Sequence, residues 1–174
     1  NMYNTSKIKC VLFDMDGTVL DSEGLFDAAQ LRLLSDNKII AKNEDLQEFK
    51  GMSNHDFYPS FKKKFSLDQD TTLLRDTLRG YLYEIMDGNL RYVDGFKEFY
   101  FSTIVKYNLK CGLVTNTTRR TFNKISQVVD IDKFFSTVIT VTESTEPKPS
   151  PQPYIEAMML LDSACEETII IEDS

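Results

Sequence analysis

The chain has 174 residues, 41% hydrophobic and 27% charged: enough for one good core and a small appendage, but thin for two full domains. Its 27 acidic against 20 basic side chains leave a net charge of -7, which argues against nucleic acid or an anionic membrane surface as the partner. No apolar stretch approaches the roughly 20 residues of a membrane helix. Cys10, Cys111 and Cys165 lie far apart without CxxC or Cys/His pairing. That pattern suits buried free thiols in a reducing, cytoplasmic setting better than disulfides or zinc ligands.

In chain order, "KIKCVLF" at 7–13 is short and rich in strand formers and predicts a buried strand. Residues 22–37 place Leu25, Phe26, Ala29, Leu33 and Leu34 near one helical face. Residues 39–90 alternate helical stretches with polar breaks and predict a small helical module. A helix through "FKEFYFSTIVKYN" then leads into a second buried strand at 110–115. "TTRRTFNKISQVVD" predicts a helix capped by Thr117 or Thr118, and "FFSTVITV" at 134–141 a third strand. Ser150 and Pro151 open a further helix, and "ETIIIED" at 167–173 is the fourth strand. Strands alternating with helices imply βαβ units, hence an α/β fold with a parallel sheet. The sequence stops directly after its last strand, so the C-terminal end of the core is expected to lie outside it.

Ligands of a parallel α/β sheet bind beyond the carboxyl ends of its strands. Four polar groups fall there: Asp14 and Asp16, Thr115 and Asn116, Lys148, and Glu172 with Asp173. Each alone reads as a turn, a cap or a solvated side chain; four together point to a site. Asp14 and Asp16, two apart in an extended chain, project to one side. Unpaired, two carboxylates that close would drive one of them neutral, whereas a divalent cation holds both ionised. Oxygen-only ligation with room for water and phosphate suits Mg2+, to which Asp173 and Glu172 can add oxygens.

"FDMDGTVLDSE" resembles motif I, DxDGT, of the haloacid dehalogenase (HAD) superfamily. "LVTNT" is similar to its motif II, "EPKPSPQPY" to motif III and "IIIEDS" to motif IV, in the right order across nearly the whole chain. The resemblance is to the β-phosphoglucomutase-like branch. It implies a Rossmann-like core from residues 1–19 and 91–174, with a helical C1-type cap at 20–90 that closes over the site and excludes water.

The resemblance also implies roles. Asp14 would be the nucleophile that becomes an aspartyl-phosphate, and Asp16 the acid that protonates the leaving alcohol and then activates water. Asp14, the Asp16 backbone carbonyl and Asp173 would bind Mg2+, with Glu172 assisting. Thr115 and the Asn116 amide would hold the phosphoryl group, and Lys148 would neutralise charge. Dehalogenases proper lack the second aspartate, so phosphoryl chemistry is expected.

The family's substrate loop corresponds to "KGMSNHD", which makes Gly51, Ser53 and Asn54 candidate substrate contacts. Sugar-phosphomutase relatives carry arginine where this chain has Asn54, and an amide cannot grip a second phosphate as arginine does. The expectation is therefore a monomeric, Mg2+-dependent phosphatase of a small phosphorylated metabolite, a sugar phosphate being one candidate. The alternatives are a phosphomutase and a non-catalytic or incomplete HAD-like protein. His55 reads as an exposed helix-start residue, "KKK" at 62–64 as a solvated face, and Phe57 and Tyr58 as packing residues.

Overall fold

The computed structural model describes residues 7–173, so Ser174 of the last motif and residues 1–6 of the expected core lie outside the description. In chain order the elements are β1 (Cys10–Phe13), β2 (Leu20–Asp21), α1 (Glu23–Asp36), α2 (Asn54–Phe65), α3 (Thr71–Met86) and β3 (Arg91–Tyr92). Then follow α4 (Phe96–Phe99), β4 (Lys110–Val114), α5 (Arg119–Val128), β5 (Thr137–Ile139), α6 (Gln152–Leu160) and β6 (Thr168–Ile171). Two compact units result: residues through Asp21 with those from Arg91 onward, and Ser22–Leu90. No described helix is long and apolar enough to cross a membrane.

The first unit is built on a parallel sheet in the order β5-β4-β1-β6. Alternation along β1 sorts its side chains between two faces. Cys10 and Leu12 join Val114, Ile139, Tyr154, Ala157 and Leu161 beneath α6. Phe13 points the other way and meets Phe96, Phe99 and Phe135 edge-on. Gly112 makes the close packing of α6 possible: a Cβ there would lie 2.8 Å from Leu12 Cδ2 and 3.1 Å from Leu161 Cδ1. Cys10 and Cys111 are buried free thiols on neighbouring strands, while Cys165 is free and exposed. Burial pushes the Cys111 thiol up to about 12, which removes it as a nucleophile at neutral pH.

Two expectations are corrected. The strand expected over 134–141 shrinks to Thr137–Ile139, because Ile131–Phe134 closes a 3-10 turn. Phe134 is drawn into ring contacts with Tyr92, Phe96 and Tyr100, and aromatic burial outweighs extended propensity there. The single helix expected after Gly95 is α4 followed by a π-helical stretch, Tyr100–Val105. Two short strands carried no sequence signal at all. β2 and β3 pair antiparallel, Leu20 with Tyr92 and Asp21 with Arg91, and the Val93 N–H donates to the Val19 carbonyl at 2.9 Å. The points where the chain leaves this unit and re-enters it are thereby joined.

In the second unit, Leu33 and Leu34 of α1 pack with Leu46, Phe61, Leu74 and Leu78. Ser53 caps α2 by accepting the Asp56 N–H. The His55 side chain is 96% exposed, and Phe57 and Tyr58 pack against this core.

Candidate active site

Register fixes the site. Phe13 of β1 is level with Leu113 of β4 and Ile171 of β6. The ladder continues one step as the Asp14 N–H donates to the Ile171 carbonyl at 2.9 Å, and the Thr115 N–H donates to the Ile139 carbonyl at 2.9 Å. The polar groups that follow these strands therefore leave the sheet at one level. Beyond Asp14 the chain turns sharply: the N–H groups of Thr18, Val19 and Leu20 all donate to the Met15 carbonyl. Gly17 sits at φ +81°, a conformation that a side chain would strain.

Asp14 and Lys148 meet at the centre. Lys148 Nζ donates to Asp14 Oδ1 at 2.6 Å, and the two side chains are only 14% and 13% exposed. The same ammonium donates to the Val114 carbonyl at 2.9 Å and to the Tyr154 hydroxyl oxygen at 3.5 Å, and lies 3.6 Å from Glu172 Oε1. Burial is the largest influence on the Asp14 carboxyl and raises its proton affinity. Lys148 opposes that, while a hydrogen bond shared with Asp173 and the charge of Asp16 push the same way as burial, and the result is about 6. Asp16 is held in turn by the Thr117 hydroxyl, which donates to its Oδ2 at 3.2 Å.

The remaining expected residues are placed as follows. Thr115 is buried, and its hydroxyl oxygen accepts the Thr117 N–H at 3.1 Å, leaving its own proton to donate elsewhere. The Asn116 side chain faces the Lys148 backbone: Nδ2 donates to the Lys148 carbonyl and Oδ1 accepts the Lys148 N–H, both at 2.9 Å. Glu172 accepts a hydrogen bond from Tyr154 and pairs with Lys148. Burial and Glu172 together push the Tyr154 hydroxyl well above the usual phenol range. Gly51, Ser53 and Asn54 belong to the Ser22–Leu90 unit, where Gly51 has φ +81° and the Ser53 hydroxyl is engaged with Asp56. Sequence reading gives Tyr154 no role and offers Thr117 only as a helix cap, a place that Thr118 takes. The available signals were a second threonine after the strand-end pair and a phenol six residues beyond Lys148.

The residues fit a magnesium ion. The half-buried Asp14 carboxyl and the exposed Asp173 carboxyl are close enough to share a hydrogen bond, which places a proton where a cation can sit. Among the described residues no group of three or more His, Cys, Asp or Glu side chains is gathered to cage an ion. Glu172, turned to Tyr154 and Lys148, is the acidic side chain engaged elsewhere. Two neighbouring carboxylates are nevertheless compatible with the sparse oxygen set Mg2+ takes, since it keeps several waters and fills its octahedron with substrate phosphate.

Comparison with known proteins places the chain. The profile of the haloacid dehalogenase-like hydrolases matches residues 11–174. A pyrophosphatase named PpaX from Bacillus mycoides is 28% identical over 173 residues, covering 97% of this chain and 76% of that protein. A putative β-phosphoglucomutase from Thermotoga maritima superposes with a TM-score of 0.80 at 20% identity, covering 96% of this chain and 77% of that one. The HAD-hydrolase YfnB from Bacillus subtilis, bound to magnesium, gives 0.73 at 20% identity, covering 97% and 79% respectively. With the family profile matched over nearly its whole length, this chain belongs to the haloacid dehalogenase-like hydrolases.

Proposed function

We propose that the chain is a Mg2+-dependent phosphatase that hydrolyses a small phosphorylated metabolite through an aspartyl-phosphate on Asp14. Phosphoric ester hydrolysis is the class its relatives support. The observation that carries the reading is the Asp14 carboxyl held between the Lys148 ammonium and the Asp173 carboxyl at the ends of three strands. Such a carboxylate has no packing use, and a buried charge without function is costly.

In this reading Asp14 attacks phosphorus, the bond from phosphorus to the leaving oxygen breaks, and Asp16 gives that oxygen its proton. Asp16 then takes a proton from water as the water attacks the aspartyl-phosphate, which releases inorganic phosphate and restores Asp14. Thr117 fixes the Asp16 carboxyl for both transfers. The Thr115 hydroxyl proton and the Asn116 backbone N–H donate to the phosphoryl oxygens, where charge develops. Lys148 keeps Asp14 ionised and offsets the phosphate charge. Bound by Asp14, Asp173 and the Asp16 carbonyl, Mg2+ would supply the divalent charge that this acidic chain needs to accept a phosphate. The magnesium bound to YfnB supports the choice of metal. Glu172 orients Lys148. Gly51, Ser53 and Asn54 remain proposed substrate contacts, and a neutral Asn54 favours hydrolysis over the reorientation of a bisphosphate.

The test is a panel of phosphorylated metabolites assayed for phosphate release with Mg2+, with Asp14→Asn as control. Release by the native chain and none by the variant is expected. Equal release by both would remove Asp14 from the chemistry.

A further inference from the structure

Lys148 sits in a loop between β5 and α6, yet its ammonium must meet a carboxylate at the end of β1. Pro147, Pro149 and Pro151 stiffen the loop but do not tie it to the sheet. Local bonds brace it from its own side: the Ser150 hydroxyl donates to Glu146 Oε2 at 2.6 Å, and the Thr145 hydroxyl donates to Glu156 Oε1 at 2.9 Å. The tie to the sheet comes from 32 residues away. Asn116, one step beyond the second strand-end position, closes a two-bond ring with the Lys148 peptide groups, both bonds at 2.9 Å. Geometry dictates the amide's orientation, because the Lys148 N–H needs an acceptor and the Lys148 carbonyl needs a donor.

We infer that Asn116 is a positioning residue: its side-chain amide holds the Lys148 backbone in register with the end of β4, so that the ammonium is delivered to Asp14. The expected phosphate contact of Asn116 then falls to its backbone N–H, and the inference rests on the proposed phosphatase reading only for its kinetic arm. A lysine side chain is a flexible four-carbon stem with a large rotamer entropy. Fixing its root shortens the search for one productive position, and a displacement on the order of 1 Å at such a group can cost about a hundredfold in rate. The chemistry is specific to asparagine. Aspartate keeps an acceptor for the N–H but sets a carboxylate against the Lys148 carbonyl, and alanine loses both bonds.

The test combines amine footprinting with kinetics on the full chain, comparing the native protein, Asn116→Ala and Asn116→Asp. The chains are acetylated with an N-hydroxysuccinimide ester, and the labelling rate of each lysine is read by mass spectrometry. Lys110, whose ammonium donates to the Leu161 carbonyl at 2.5 Å in the same unit, is the internal control. Lys148 labelling is expected to rise about tenfold in Asn116→Ala and less in Asn116→Asp, with Lys110 unchanged. With para-nitrophenyl phosphate and Mg2+, kcat is expected to fall about tenfold to a hundredfold while KM stays within about threefold. Lys148 labelling that stays at the native rate, or rises only in step with Lys110, overturns the inference. So does a raised KM at constant kcat, the mark of a lost substrate contact. If no variant or native chain releases phosphate but Lys148 is selectively unmasked, the phosphatase reading falls and the positioning role stands.

Discussion

Replacing Asp14 by asparagine should abolish phosphate release and, in the absence of divalent cations, make the chain more stable. The Asp14 carboxyl rises from its ordinary 3.8 to about 6 on folding. At 1.36 kcal/mol for each tenfold change, keeping it ionised costs the fold about 3 kcal/mol at pH 7. The sign follows from proton binding. Between pH 3.8 and about 6 the native state holds a proton that the unfolded state has released, so stability falls as pH rises through that window and stays depressed above it. Asparagine removes the ionisation without removing the side chain's volume. Thermal melts in chelator should therefore place the variant above the native chain by at most about 6 to 12 °C at pH 7. The gap should narrow as the pH is lowered towards 4, where the folded carboxyl is protonated and the unfolded one partly so, and close below about 3.8. A variant less stable than the native chain, or a gap as wide at pH 4 as at pH 7, would refute the reasoning.

Other consequences can be checked in the same way. Burial alone would raise Glu143, but Arg119, at 2.8 Å, and the Thr140 hydroxyl and N–H, each at 2.7 Å, hold it down to about 2. Its contribution is complete above about pH 4.5 and lost as pH falls through about 2. Glu143→Gln should thus cost about 1 to 2 kcal/mol in urea melts at pH 7, a figure discounted because the side chain is 38% exposed, and nothing near pH 2; an equal cost at both pH values would contradict this. Gly112→Ala forces a Cβ to 2.8 Å from the fully buried Leu12 and should lower stability by about 1 to 3 kcal/mol, read as a reduced denaturant midpoint. An unchanged midpoint would show that the core beneath α6 is looser than described. Tyr154→Phe removes the hydrogen bond to Glu172 and should reduce kcat several-fold with a stability loss of about 1 kcal/mol; unchanged turnover would mean that Glu172 needs no such support.

What could be read from the sequence followed from local chemistry. The runs that became β1, β4 and β6 are apolar without alternation, the pattern of parallel-sheet strands; β1 and most of β4 are buried, while Ile169 and Ile170 of β6 are exposed. The polar residues next to them had to fall at one end of the sheet. What stayed hidden depends on partners distant along the chain. Phe134 and Phe135 carry the β propensity of a strand but are claimed by rings 30 to 40 residues earlier, Phe96 among them. β2 and β3 are two residues each, too short for any periodicity to show. Glu172 adjoins Asp173, but its engagement by Tyr154 and Lys148 has no local signal in the sequence. Asn116 next to Thr115 reads as a phosphate contact, and nothing local in the sequence shows that its side-chain amide is occupied by a peptide 32 residues away.

The central claim is that Asp14 and Asp173 share one pocket that takes a divalent cation. Calorimetric titration of the native chain and of Asp173→Asn with MgCl2 at pH 7.5 tests it without reference to any substrate. One ion bound by the native chain, with affinity lost or cut at least about tenfold in the variant, is the predicted result; no binding by the native chain, or equal affinity in both, would contradict the account.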